Sequence, residues 1–234
     1  TGYNVVDYAY AKEKGIPVVN VPTYGTQIVG QYALGLLLEI CSHYGHHDEC
    51  VKEGKWENNP DWCFWDYPLI ELEHKTIGII GFGRIGQHLG VMAKAIGMNV
   101  VAYSTTRRPE VEAKFGIPYV TLEELLAQSD FISLHAPAAP GAPLINADTI
   151  AKMKDGVVII NTSRGANVDE DALLAALESG KVRAAGLDVY ADEPTANAAL
   201  YSHPMVSCTP HIGAATVEAQ KRIGTEIVDI IRSF

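Results

Sequence analysis

Between residues 76 and 189 the chain alternates short, nearly unbroken apolar runs with stretches whose apolar positions recur every three or four residues. Five runs predict strands: TIGII at 76–80, NVVAY at 99–103, DFISL at 130–134, VVIIN at 157–161 and VRAAGLDV at 182–189. Because the runs are continuous and not alternating, they predict strands covered by helices on both faces, as in a parallel sheet. Helical spacing over 84–96, 122–128, 149–153 and 169–179 supplies the connections. Right-handed crossovers between such units give an α/β, doubly wound parallel sheet.

Ahead of the first of these strands the pattern changes. A short helix over 6–14 and a single strand over 17–20 cannot bury a core of their own. One long apolar helix is predicted over 26–50, built around QYALGLLLEI. The loop at 54–70 then gathers Trp56, Trp62, Phe64, Trp65 and Tyr67. It reads either as an aromatic surface covered by a partner or as a loop packed on its own domain. The chain opens on Thr1 and closes at Phe234 within a helical pattern, so it reads as a fragment.

Composition narrows the function classes. An apolar share of 47% over 234 residues is ample for a core. A formal charge of -10 repels nucleic-acid phosphates and anionic lipid, leaving a small molecule as the expected partner. Cys41, Cys50, Cys63 and Cys208 lack paired spacing, which predicts neither a disulfide framework nor a metal site and fits the reducing cytoplasm. No window of about 18 uninterrupted apolar residues and no signal-peptide pattern is visible, so no membrane association is expected.

The most specific local signal is Gly81-Phe82-Gly83-Arg84-Ile85-Gly86, a G-x-G-x-x-G between a predicted strand and a predicted helix. There Gly81 makes the tight turn, Gly83 lets backbone approach a pyrophosphate, and Gly86 lets helix and strand pack closely. The helix N-terminus, with Arg84 and Ile85 in its first turn, directs amides at the anion. This predicts a Rossmann-type domain holding a nicotinamide dinucleotide. After the second strand an Asp or Glu usually selects NAD; here Ser104, Thr105, Thr106, Arg107 and Arg108 follow. Hydroxyls and guanidiniums suit a 2′-phosphate, which favours NADP over NAD. Arg107 and Arg108 also read as an ordinary solvated turn.

Downstream, Arg164 in NTSRG, Glu193 in DVYADEP and His211 in TPHIG each fall at or after the carboxyl end of a strand, the edge that faces ligand in such folds. Singly each has a bland reading. Together with TGYNVVD, VPTYGTQIVGQ, GIIGFGRIG, IINTSRG, GLDVYADEP and TPHIGAAT, in that order, they carry a resemblance to the D-isomer-specific 2-hydroxyacid dehydrogenases across essentially the whole sequence. The segment DWCFWDYPLIEL looks most similar to the glycerate dehydrogenase or hydroxypyruvate reductase branch.

The resemblance implies that Arg164 grips the 2-oxo acid, that His211 exchanges a proton with its C2 oxygen, and that Glu193 partners the histidine. It implies further cofactor contacts at Thr26, His135, Pro137, Thr162, Asp188 and Gly213. It also implies a substrate among the small 2-oxo or 2-hydroxy acids such as hydroxypyruvate or glyoxylate, and a homodimer. The divisions it implies are a remnant of a flavodoxin-like substrate domain at 1–24, the dinucleotide-binding domain at 25–212, and a C-terminal helix at 213–234 returning toward the substrate domain. Other readings are a non-enzymatic dinucleotide-sensing, corepressor-like module and an inactive cofactor-binding fragment. The sequence departs from the family pattern at His74, where the family commonly has Gly, so the turn there is expected not to demand positive φ. It departs again in APAAPGAPLIN, which lacks the usual threonines.

Overall fold

A computed structural model of the chain describes residues 2–3, 6–138 and 141–233. In chain order the elements are α1 (Tyr8–Glu13), α2 (Thr26–Ser42), α3 (Tyr44–Lys52), β1 (Thr76–Ile80), α4 (Arg84–Ala95), β2 (Asn99–Tyr103), α5 (Pro109–Phe115) and α6 (Leu122–Gln128). Then come β3 (Phe131–Leu134), α7 (Ala147–Ala151), β4 (Val157–Asn161), α8 (Glu170–Glu178), β5 (Val182–Leu187), α9 (Ala198–Tyr201), β6 (Val206–Cys208) and α10 (Val217–Arg232). All six strands run parallel in the order β2-β1-β3-β4-β5-β6. Beyond β2, Tyr119 bridges Ala102 in parallel, a one-residue continuation of the sheet. The order reverses between β1 and β3, the position where a doubly wound sheet opens a ligand crevice.

Helices cover both faces, as the unbroken apolar runs require. On one face Ile77, Ile79, Val158 and Ile160 pack with Leu36, Leu37 and Ile40 of α2 and Leu89 of α4. On the other, Ile80, Ile132, Leu134 and Ile159 pack with Leu125 of α6 and Leu173 of α8. Every residue of β3 and β4 is buried. At Gly78 a Cβ would collide with Ser129 Oγ and Leu125, so the glycine sets how closely α6 lies on β1.

All five strands expected over 76–189 form. The helix expected at 149–153 begins two residues earlier, because Asn146 caps it: its side chain accepts from Thr149 N while Thr149 Oγ1 accepts from Asn146 N. The segment 17–20 is not a strand, since among the described residues no strand lies beside it to complete a ladder. The helix expected over 26–50 is two helices, broken at His43, which adopts a left-handed conformation (φ 49°). The His43 ring stacks on Tyr67 (4.3 Å), a contact 24 residues away in sequence that no local periodicity reports. His74 likewise has positive φ (64°), contrary to expectation. Its amide donates to Gly97 O (2.9 Å) and its carbonyl accepts from Asn99 Nδ2 (2.8 Å), and these bonds hold the turn without a glycine.

The aromatic loop divides. Phe64 and Tyr67 pack against His47 and His43 at the start of α3. Trp56, Trp62 and Trp65 are exposed, Trp62 at 86%. Among the described residues no helix is long and apolar enough to cross a membrane.

Candidate functional site

The strands deliver the site residues to one edge of the sheet. After β1, Gly81 (φ 96°) turns so tightly that a Cβ would lie 2.5 Å from Ala136 N. Gly83 is the N-cap of α4, in extended conformation, and a Cβ there meets nothing within 4 Å, so this side of the backbone is open. No side chain caps α4, which leaves its first-turn amides, around Arg84 and Ile85, available to an anion. A Cβ on Gly86 would strike Gly81 O, so the glycine permits the close seating of α4 on β1.

After β2, Ser104 Oγ accepts from Phe82 N at 2.8 Å and thereby fastens the glycine loop to the neighbouring strand end. Thr105, Thr106, Arg107 and Arg108 follow, all exposed. After β3, the His135 amide donates to Ile80 O (2.7 Å), and the ring Nε2 is 2.9 Å from Ser133 Oγ. His135 Nδ1 is buried without a partner. Surrounding protein desolvates this ring and pushes its pKa down to about 4. Pro137 is exposed; the remainder of APAAPGAPLIN includes residues 139–140, which lie outside the described residues.

The end of β4 is organised by Asn161. Its Oδ1 accepts from Ser163 N (3.0 Å) and Ser163 Oγ (2.8 Å), while its Nδ2 donates to Arg164 O (2.8 Å). Asn167 Nδ2 donates in turn to Ala136 O (2.9 Å) and Ser163 Oγ (3.0 Å), tying this turn to the β3 loop. These bonds fix the backbone of the half-buried Arg164, whose Nη1 donates to Ser163 O (2.5 Å). A Cβ on Gly165 would overlap the carbonyl of Tyr190, so the loops after β4 and β5 touch backbone to backbone. Thr162 Oγ1 is buried without a partner.

At the β5 edge Asp188 is 2% exposed and already heavily engaged. Its Oδ1 accepts from Thr209 Oγ1 (2.7 Å) and Ile212 N (2.9 Å), and its Oδ2 from Gly213 N (2.8 Å). Glu193 Oε1 accepts from Tyr190 N (3.1 Å), and Glu193 Oε2 lies 2.6 Å from His211 Nδ1. This pairing leaves His211 Nε2 as the nitrogen turned away from the carboxylate. His211 holds positive φ (54°), the kind of backbone strain that concentrates at working sites. Thr26 begins α2; its neighbour Gly25 lies against Ala214, so this helix end adjoins the loop carrying Gly213.

The structure therefore brings Glu193 to His211 and Asp188 to Gly213, and it links Arg164 to the β5 loop through Gly165. Ser104, by contrast, is committed to the glycine loop. The positioning residues Asn161, Tyr190 and Thr209 lie inside the motifs quoted above but were assigned no role there, and Asn167 lies outside them. Glu170 also lies outside them; its carboxylate accepts from Ala191 N (2.8 Å) and Asn197 Nδ2 (2.9 Å) and clamps the Glu193 loop to α8. For Asn167 and Glu170 the only available signal was their place in the turn and helix start that follow the IINTSRG segment.

The site's chemistry fits a bound dinucleotide. The open side of Gly83 and the uncapped start of α4 suit a diphosphate. His135 Nδ1 and Thr162 Oγ1 are buried polar atoms that lack a protein partner, and both sit at the carboxyl edge.

Comparison with known proteins agrees. Residues 34–213 match the family described as D-isomer specific 2-hydroxyacid dehydrogenase, NAD binding domain. The hydroxypyruvate reductase of Blautia hydrogenotrophica is 55% identical over 240 residues, an alignment spanning 100% of this chain and 73% of that protein. The glyoxylate reductase of Thermococcus litoralis is 42% identical over 238 residues, spanning 100% of this chain and 71% of the relative. The crystal structure of the NADPH-dependent glyoxylate/hydroxypyruvate reductase of Sinorhizobium meliloti in complex with NADP and malonate superimposes with a TM-score of 0.89. It is 32% identical and covers 99% of this chain and 71% of that one.

Proposed function

From the premise that this chain belongs to the D-isomer-specific 2-hydroxyacid dehydrogenase family, we propose that it reduces hydroxypyruvate or glyoxylate to the corresponding 2-hydroxy acid. It is an oxidoreductase of NAD(P)H and small 2-oxo acids; a purely sensing, non-enzymatic module is not favoured. The observation that carries the reading is the 2.6 Å pair of Glu193 and His211 on the sheet edge that also bears the glycine loop.

A dinucleotide would be held by the amides at Gly83 and the start of α4, with Thr26, His135, Pro137, Thr162, Asp188 and Gly213 around its nicotinamide half. When bound it supplies the reducing equivalent delivered to C2 of the acid. The chain's own residues do the rest. Arg164 presents a planar cation able to pair with the acid's carboxylate. His211 gives a proton from Nε2 to the oxygen on C2 and takes it back in the reverse direction, an imidazole's natural task near neutral pH. Glu193, bonded to Nδ1, fixes the ring's tautomer and orientation.

Four finer readings go with this proposal. Arg107, exposed beyond β2 with no carboxylate in the ribose position, favours NADP. The exposed Trp56, Trp62 and Trp65 favour a homodimer, and four free cysteines suit the cytoplasm. The division into a dinucleotide domain at 25–212, with 1–24 and 213–234 facing a substrate domain, is supported by the exposed apolar residues Val217 and Ile231 on α10.

The test is kinetic. In His211→Ala, reduction of hydroxypyruvate is expected to fall by about 10²- to 10⁴-fold while NADPH affinity stays within a few-fold of wild type. Turnover unchanged in that variant removes His211 from the mechanism. In Arg107→Asp the KM for NADPH is expected to rise and that for NADH to hold; equal changes in both would count against the NADP preference.

A further inference from the structure

Away from the sheet edge, three side chains of metal-binding type converge where α3 meets the aromatic loop. His46 and Cys50 stand four residues apart on α3, hence on one face, and Asp66 comes from the loop. His46 Nε2 is 2.7 Å from Asp66 Oδ2 and 3.5 Å from Cys50 Sγ, and Cys50 Sγ is 3.8 Å from the same Oδ2. The three donor atoms thus form a small triangle, with the cysteine buried and the other two side chains 37% and 30% exposed.

The arrangement is not a catalytic relay. In a relay the carboxylate would bond the imidazole nitrogen opposite the thiol; here thiol and carboxylate crowd the same nitrogen. Three donors facing one point is the geometry of a shared ion. Tetrahedral zinc, with bonds of about 2.0 Å to nitrogen and oxygen and about 2.3 Å to sulfur, sets its ligand atoms roughly 3.3–3.6 Å apart. The nitrogen–sulfur edge already has that length, and the nitrogen–oxygen edge needs to open by about half an ångström. A mixed thiolate, imidazole and carboxylate set selects a borderline cation such as zinc over magnesium or calcium.

We propose that His46, Cys50 and Asp66 form a zinc-binding site that clips the aromatic loop to α3. On binding, the Cys50 thiol releases its proton to solvent and its sulfur bonds the ion; the fourth position is filled by water. Lys55 Nζ donates to both Asp66 oxygens, at 2.6 Å to Oδ1 and 2.5 Å to Oδ2. It keeps Oδ1 when Oδ2 turns to the ion, and as an exposed pair it competes weakly.

Cobalt(II) reports the site because a thiolate ligand gives it a charge-transfer absorption. The purified protein is expected to take up one equivalent with that absorption, and zinc is expected to displace it and raise the thermal midpoint. Cys50→Ser abolishes the absorption, whereas Cys63→Ser retains it. Asp66→Ala, its fold checked by an unchanged far-ultraviolet circular dichroism spectrum, weakens cobalt binding by at least about ten-fold. No thiolate absorption in the wild type, or an absorption that survives Cys50→Ser or an affinity unmoved by Asp66→Ala, overturns the proposal. Reduction of hydroxypyruvate without metal leaves the two conclusions separable, because none of these residues belongs to the sheet-edge site.

Discussion

At the scale of single residues, backbone contact constrains the site as firmly as side-chain chemistry. Gly165 touches the Tyr190 carbonyl with no room for a methyl group, and neither partner is a movable side chain. Gly165→Ala is expected to cost about 3 kcal/mol, seen as a lowered urea midpoint, since the clash is relieved only by moving two loops. His135 makes a different demand. Burial holds its pKa at about 4 against an ordinary 6.5, so between these values the unfolded chain binds a proton that the folded chain refuses. The stability this group contributes is complete above pH 6.5 and is lost as pH falls toward about 4. In His135→Gln the loss between pH 7.5 and pH 5 is expected to shrink by about 2 kcal/mol relative to wild type, measured by denaturant titration at both pH values. Identical pH slopes in the two proteins would place His135 in an environment that tolerates its charge.

Elements show which parts of the molecule local pattern can announce. The strands were legible because each is a short, doubly buried run between helical spacings; β4, with all five residues buried, is the clearest. The glycine loop was legible because its three glycines have three separate steric duties. The three-residue β6 was not, being half-buried and too short to show a period. The break at His43 was invisible for another reason: the residue is an ordinary helix former locally, and its conformation is set by Tyr67. Within the candidate site, Arg164, Glu193 and His211 lie in recognisable motifs, whereas the Asn167 and Glu170 networks depend on contacts between distant loops. Two measurements belong to this scale. Thr121 caps α6 through a reciprocal capping box with Glu124, and Thr121→Ala is expected to cost about 1 kcal/mol and lower the thermal midpoint by a few degrees. His74, strained at φ 64° with its side chain 86% exposed, gains from release: His74→Gly is expected to stabilise by about 0.5–1 kcal/mol. A destabilised His74→Gly would mean that the imidazole does more than tolerate its turn.

For the molecule as a whole, the exposed tryptophans and the net charge of -10 pull in opposite directions: one favours association and the other opposes it. A dimer built on the aromatic loop is expected to tighten as salt screens the charge. Trp62→Glu is expected to halve the sedimentation mass, and a mass unchanged by that substitution would move the interface elsewhere. Finally, Asp188 receives three hydrogen bonds from residues 209–213, on either side of the histidine. One carboxylate thus acts as the axle on which both the ring paired with Glu193 and the turn at Gly213 are mounted, the two parts to which the proposed mechanism gives the proton and the coenzyme. Loosening it would not injure chemistry and ligand grip one at a time; the two defects would be inherited together.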